Sequence, residues 1–142
     1  EIVYIARASQ RRVMSINLMP GSRLPAYCAS MGRVLLAALP EGEAEELLRK
    51  SQLRALTPFT RIDITQLLDE LATVRGQGFA VIDQELELGL CSIAVPLLDR
   101  RGQAVAALNI GAPAAQIAAQ DLPDRFLRSL QTAAETLRPM LA

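Results

Sequence analysis

The stretch SIAVPLLDRRGQAVAALNI, residues 92–110, decides the fold. Aliphatic and β-branched residues fill 92–98 and 104–110, and a polar segment, Asp99-Arg100-Arg101-Gly102, separates them. Apolar runs of this length, bounded by turn residues, are typical of adjacent β-strands. The stretch therefore predicts a β-hairpin, and residues 79–83 predict one more strand before it.

A second hairpin is predicted at the start of the chain. Residues 2–7 and 13–19 are again rich in aliphatic and β-branched side chains, with a polar segment at 9–12 between them. Pro20 and Gly21 then break the strand pattern. Hairpins therefore lie near both ends of a block of helices.

Helical spacing of apolar residues predicts the block between the hairpins. A first helix begins near Ala29 or Ser30 and is ended by Pro40 and Gly42. A short helix follows over 43–50, with Leu47 and Leu48 facing inward.

A third helix begins at Asp63, which stands with Gln66 at the spacing of a capping box, and Gly76 and Gly78 are predicted to end it. Asp121 is predicted to cap a last helix with a wide apolar face. The order of elements predicts one α+β domain over residues 1–142, with an antiparallel sheet and helices packed on it.

Composition excludes several classes of function. Fifteen basic residues balance fifteen acidic ones, so the basic excess that usually holds DNA is missing. No apolar run is long enough to cross a bilayer, and no signal peptide is visible at the start. We therefore expect no membrane association.

Histidine is absent and cysteine is scarce. Without histidine, the Ser-His-Asp and Cys-His triads and histidine metal sites are excluded, and we expect no enzyme activity, no metal and no cofactor. Cys28 and Cys91 fit a reduced, cytoplasmic setting. The sequence alone does not decide whether these two cysteines form a disulfide bond.

Three segments together resemble the effector-binding domain of the IclR family of bacterial transcription regulators. They are GSRLPAYCASMGRVLLA at 21–37, GFAVIDQELELGL at 78–90 and the hairpin at 92–110. Within the family, LPAYC at 24–28, DQELELGL at 83–90 and ALN at 107–109 are similar to the branch that regulates protocatechuate, 4-hydroxybenzoate and β-ketoadipate degradation. That branch usually has threonine at Ala29 and arginine at Cys91.

The resemblance implies a GAF-like sheet that binds a small organic acid, aromatic or derived from ring cleavage. It implies a homodimer or homotetramer. It also implies that DNA is contacted only through a winged helix-turn-helix domain, which would precede Glu1 and is absent from this chain. The alternatives are a structural oligomerisation domain without ligand and an enzyme on a similar scaffold.

The loop that enters the first long helix is the main candidate for ligand binding. Pro25, Tyr27, Cys28 and Ala29 form it, and the free N–H groups of a helix N-terminus suit a carboxylate. Tyr27 would stack on an aromatic acid or donate a hydrogen bond to it. The alternative is that the loop only enters the helix and Tyr27 packs in the core.

Gly32 costs the helix about 1 kcal/mol relative to alanine, so either a close backbone approach or a ligand should offset it. Ser92 is a candidate donor to a carboxylate, and Cys91 precedes it. Asn109 interrupts an apolar strand, and its amide must pair with backbone, which we favour, or with ligand.

Charged residues give weaker indications. Asp83, Glu85 and Glu87 alternate, but three carboxylates would repel an acidic effector, so we expect solvated side chains at Glu85 and Glu87 and only a wall position at Asp83. Arg33 is expected on a solvated face or at a subunit contact, with Arg7, Arg11, Arg12 and Arg23.

Overall fold

The computed structural model describes residues 1–8 and 19–141. From α1 onward, its helices and strands follow the predicted order. Short 3-10 turns lie at Ala26–Cys28, Ala119–Asp121 and Arg138–Met140, and a π-helical turn lies at Pro123–Leu127. The main elements are β1 (Ile2–Val3), β2 (Arg23–Leu24), α1 (Ser30–Ala38), α2 (Glu41–Lys50), α3 (Ile64–Gln77), β3 (Ala80–Asp83), β4 (Leu90–Leu98), β5 (Ala104–Pro113) and α4 (Arg128–Leu137).

The central sheet has the order β3-β4-β5 and is antiparallel throughout. The predicted hairpin joins β4 to β5, and the Asp99 carboxylate accepts the backbone N–H groups of Arg101 and Gln103, each at 2.8 Å. Gly102 has φ +82°, which explains why glycine stands in this turn. The hairpin prediction is confirmed.

Side chains alternate between two faces of this sheet. Ala80 and Ala94 pack with α1 and α3 on one face, whereas Ile93 and Val95 pack against Leu130 of α4 on the other. The antiparallel sheet with helices on both faces confirms the α+β prediction. No helix in the described part of the chain is long and apolar enough to span a membrane.

The first predicted hairpin falls largely outside the description, because residues 13–18 are not among the described ones. Within the described residues, β1 pairs antiparallel with β2, a strand that the sequence pattern did not predict. Backbone hydrogen bonds from Tyr4 to Ser22 and from Gly21 to Tyr4 extend this pairing.

Three helix details differ from the predictions. α2 begins at Glu41 rather than at 43, because Pro40, which directly follows the C-cap residue of α1 as predicted, is also the N-cap residue of α2. Leu47 is 48% exposed, since Ala44 and Leu48 alone form the buried stripe of α2. Asp121 lies in a 3-10 turn and caps no helix, because Pro123 starts the next helical segment.

Candidate functional site

The hydrogen-bonding pattern at the N-terminus of α1 suits an anionic ligand. Ala29 is the N-cap residue and offers no side-chain acceptor to the first-turn N–H groups. No acidic residue stands in that turn. The first backbone N–H of the helix to reach a backbone carbonyl is that of Arg33, which donates to Ala29 O at 2.9 Å. The preceding N–H groups and the helix dipole therefore favour a carboxylate here.

Gly32 is required by backbone packing. A Cβ built on Gly32 would lie 2.2 Å from the carbonyl oxygen of Ala26 and 2.4 Å from its Cα. The 3-10 turn Ala26–Cys28 thus crosses directly over the first turn of α1. Close packing, one of the two alternatives at this position, accounts for the glycine.

Tyr27 is anchored at its hydroxyl. The side chain is 5% exposed, and its hydroxyl donates to Arg54 O at 2.8 Å and accepts the Arg54 N–H at 3.1 Å. Cys28 beside it has no exposed surface, and burial, with the charge of Glu85, raises the pKa of its thiol to about 12. These two residues anchor the loop on the side that faces the core.

Ser92 and Asn109 lie on the face of the sheet that α1 covers. Ser92 pairs with Ile82 of β3, and Asn109 pairs with Ala94, whose side chain packs with α1 and α3. Residues paired across neighbouring strands point to the same side. The two polar side chains thus face the helix whose N-terminus lacks a side-chain cap.

The sequence analysis missed Tyr4. Its side chain packs beside Ala29 and Met31, and it lies near enough to the side chain of Asn109 for that amide to influence its pKa. Burial raises the pKa of Tyr4, and the Asn109 amide opposes that rise. That the Asn109 amide pairs with backbone or with ligand stays a prediction. A tyrosine in an otherwise aliphatic strand was the signal that could have found it.

Tyr4 also borders a cleft of about 320 Å³. The cleft lies between the first strand, α1 and β5, and its walls are mostly apolar. Its lining residues are Glu1, Ile2, Val3, Tyr4, Ile5, Ala6, Met31, Leu35, Val105, Ala106 and Ala107. The volume is in the range of small-molecule sites, although none of the nine predicted site residues lines it.

Asp83 and Cys91 lie apart from the other predicted residues. Cys91 packs on the face that α4 covers, and its thiol donates to the Asp83 carboxylate at 3.2 Å. Burial, and after it the bond to Asp83, raises the pKa of Cys91 to about 11. The structure thus gathers Pro25, Tyr27, Cys28, Ala29, Gly32, Ser92 and Asn109 on one side of the sheet, with Asp83 and Cys91 on the other. Both cysteines are free, so the bridge left open by the sequence does not form.

Arg33 and Glu85 correct two predictions. Neither is solvated: the Arg33 side chain has no exposed surface, and Glu85 is 4% exposed. Their side chains pair at 2.7 Å, and Arg61 and Glu70 extend the pair into a four-residue network. Desolvation lowers the pKa of Arg33, and the charge of Glu85 counteracts this. α1 is buried almost all round, so it leaves no solvated face for its one charged residue.

The described residues contain no cluster of three or more side chains suited to hold a metal ion. What the geometry offers is a mostly apolar cleft bordered by the phenol of Tyr4, and an amide and a hydroxyl on the face of the sheet that α1 covers. This combination suits binding of a small polar molecule.

Comparison with known proteins decides the family. Residues 1–138 match the family model described as the bacterial transcriptional regulator IclR C-terminal domain. The chain belongs to the IclR family. Within it, the chain is 46% identical over 138 residues to the Pca regulon regulatory protein of Pseudomonas putida, covering 96% of this chain and 47% of that protein.

Two further matches within the family carry names that refer to hydroxybenzoates. The p-hydroxybenzoate hydroxylase transcriptional activator of Acinetobacter baylyi is 36% identical, over 97% of this chain and 51% of that protein. The inducer-binding domain of PobR from Acinetobacter, solved as a double mutant with 3-hydroxybenzoic acid, superposes with a TM-score of 0.86 at 36% identity, over 93% of this chain and 75% of that one. The chain thus spans about half the length of the curated relatives, in the effector-binding part of an IclR regulator.

Proposed function

We propose that this domain is the sensor for a small aromatic acid, held between the N-terminus of α1 and the sheet. The observation that carries the proposal is the set of polar groups opposite the uncapped helix start. The similarity to an inducer-binding domain solved with a hydroxybenzoate supports it. The carboxylate would accept the free N–H groups of the first turn of α1, and Ser92 would donate a further hydrogen bond.

The ring of the acid would lie against apolar side chains. Ala29 packs with Leu24 and Met31, and Leu86 of the β3–β4 turn adjoins the same cluster. The hydroxyl of Tyr4 and the amide of Asn109 would meet a ring substituent. Asp83 and Cys91, which pair with each other on the α4 side of the sheet, would hold the ends of β3 and β4 together without touching the ligand.

The parent protein would couple ligand binding to DNA through an N-terminal winged helix-turn-helix domain, as a homodimer or homotetramer. A ligand that binds one subunit arrangement better than another shifts the population between them. The separation of the DNA-binding domains would then follow the ligand concentration.

A thermal-shift screen tests the sensor proposal. We expect 4-hydroxybenzoate, 3-hydroxybenzoate or protocatechuate to stabilise the domain, by about 2.7 kcal/mol at 100 times the dissociation constant. 4-Hydroxybenzyl alcohol is the matched control without a carboxylate and should give no shift. An equal shift with the alcohol would refute the carboxylate contact, and a flat response to aromatic and ring-cleavage acids alike would favour a domain without ligand.

Replacing Ser92 with alanine should weaken binding of the stabilising acid about tenfold, because one hydrogen bond to a charged group is lost. Calorimetric titration measures this change. Cys91→Ala is the matched control, since the adjacent side chain points to the α4 face and its loss should leave affinity within about twofold of wild type. Weaker binding by Cys91→Ala, with unchanged binding by Ser92→Ala, would place the ligand on the α4 side of the sheet.

A further inference from the structure

A fully buried arginine joins two parts of the molecule that are far apart in sequence. The Arg33 Nε donates to the carbonyl oxygen of Tyr27 at 2.6 Å, and its Nη2 donates to Glu85 Oε2 at 2.7 Å. Tyr27 belongs to the loop before α1, and Glu85 belongs to the turn between β3 and β4. One planar guanidinium therefore fixes both segments at once.

Both segments are walls of the proposed site. The loop leads into the uncapped start of α1, and Leu86, next to Glu85, packs on the cluster around Ala29. The distance between the loop and the turn therefore depends on what connects them, and Arg33 is the side chain that bonds to both.

The turn is also held from its far side. The Thr57 hydroxyl donates to Gln84 O at 2.7 Å, and the Thr60 hydroxyl donates to Glu85 O at 2.6 Å. Glu85 also accepts the Arg61 N–H at 3.1 Å. The loop has a second anchor in the Tyr27 hydroxyl, which bonds to Arg54, whereas the carbonyl of Tyr27 is held by Arg33. The backbone at this carbonyl is therefore the part of the loop that we expect to move if the guanidinium is removed.

We propose that Arg33 is a positioning residue for the effector: it sets the loop and the N-terminus of α1 at the separation from the β3–β4 turn that the ligand needs. The proposal rests on the sensor function proposed above. It assigns Arg33 no contact with the ligand, because its side chain is enclosed by protein.

A purely structural ion pair predicts something different. Removing one partner of a buried ion pair leaves the other charge buried without a partner, whereas neutralising both partners often restores stability. If Arg33 served only stability, the double variant Arg33→Met/Glu85→Gln would recover ligand binding together with stability. If Arg33 positions the loop, stability returns and binding does not, because the bond to the Tyr27 carbonyl is still missing.

The experiment compares three variants with wild type by thermal unfolding, amide hydrogen exchange and titration with 4-hydroxybenzoate. They are Arg33→Met/Glu85→Gln, Arg33→Lys and Arg75→Met. Arg75 is the matched control because its guanidinium donates to Ala37 O at 2.9 Å and Leu39 O at 3.3 Å, at the opposite end of the same helix. Arg33→Lys keeps the charge opposite Glu85 and is the variant to rely on if the double variant does not fold.

In the double variant we expect an unfolding temperature close to wild type, amide exchange over 26–31 at least tenfold faster and affinity at least fivefold weaker. Arg33→Lys should change exchange and affinity in the same direction, whereas Arg75→Met should alter stability alone. Wild-type exchange over 26–31, or wild-type affinity, in the folded Arg33 variants would overturn the positioning role. Failure of wild type to bind any acid would instead refute the sensor proposal, and the exchange data would still decide whether Arg33 holds the loop.

Discussion

Replacing Gly32 with alanine is expected to destabilise the domain by about 2–4 kcal/mol, because the new methyl group would collide with backbone and not with a flexible side chain. The three nearest atoms all belong to Ala26, at 2.2–2.6 Å. Relief requires the 3-10 turn to move away from α1. In a domain of this size, such a loss lowers the unfolding temperature by roughly 10 °C, which calorimetry or circular dichroism measures.

Gly76→Ala is the matched control. Gly76 also lies in a helix, but a Cβ there would meet nothing within 4 Å. The substitution should therefore stabilise the domain by about 0.5–1 kcal/mol through the higher helix propensity of alanine. If Gly32→Ala also raised the unfolding temperature, the close approach of Ala26 to α1 would be wrong.

The second large effect is expected for Glu85→Ala, which should lower the free energy of unfolding by about 3 kcal/mol. The substitution leaves the buried Arg33 guanidinium without its 2.7 Å partner, and Glu70 at 3.6 Å is the remaining carboxylate in its network. Removing one member of a buried pair typically costs this much, because the other charge stays desolvated. Urea unfolding curves measure the change as a lower midpoint.

Glu45→Ala tests whether burial is the reason. Glu45 forms an ion pair with Arg49 at 2.7 Å, four residues along α2, but both side chains are well exposed. Exposed pairs contribute about 0.2–1 kcal/mol, so this variant should unfold close to wild type. Equal losses at Glu45 and Glu85 would contradict the buried network.

Local rules explain what the sequence predicted correctly. The Asp63 side chain accepts the Gln66 N–H at 2.9 Å, and Gly78 ends α3 with φ +81°. Both features depend on residues a few positions apart. The β4–β5 hairpin was predictable for the same reason, since its turn lies between the two strands that it joins.

Long-range pairing explains what the sequence did not reveal. Arg33 and Glu85 are 52 residues apart in the sequence. Each of them, taken alone, is a charged residue of the kind expected at the solvent-exposed surface. The pairing of β1 with β2 and the proximity of Tyr4 to Asn109 likewise bring distant segments together. One signal was available for Arg33: it is the single charge in SMGRVLLAA, residues 30–38, and such a helix has no polar face to turn toward water.

The separation of predicted site residues by the sheet follows from strand alternation. Cys91 and Ser92 are neighbours in β4, so one of them had to face away from α1. Which one does so depends on the register with Ala112 and Gly111 of β5. Both residues are site candidates from the sequence, and only the strand register assigns each of them to a face of the sheet.

The two buried thiols also lie on opposite sides of the sheet. Cys28 belongs to the cluster beneath α1 and α3, whereas Cys91 belongs to the cluster beneath α4. Each is fully enclosed, so a thiol reagent reaches it only when the surrounding layer opens. The labelling rates of the two cysteines thus report separately how often each layer of the domain opens. No probe has to be added to the natural sequence for this measurement.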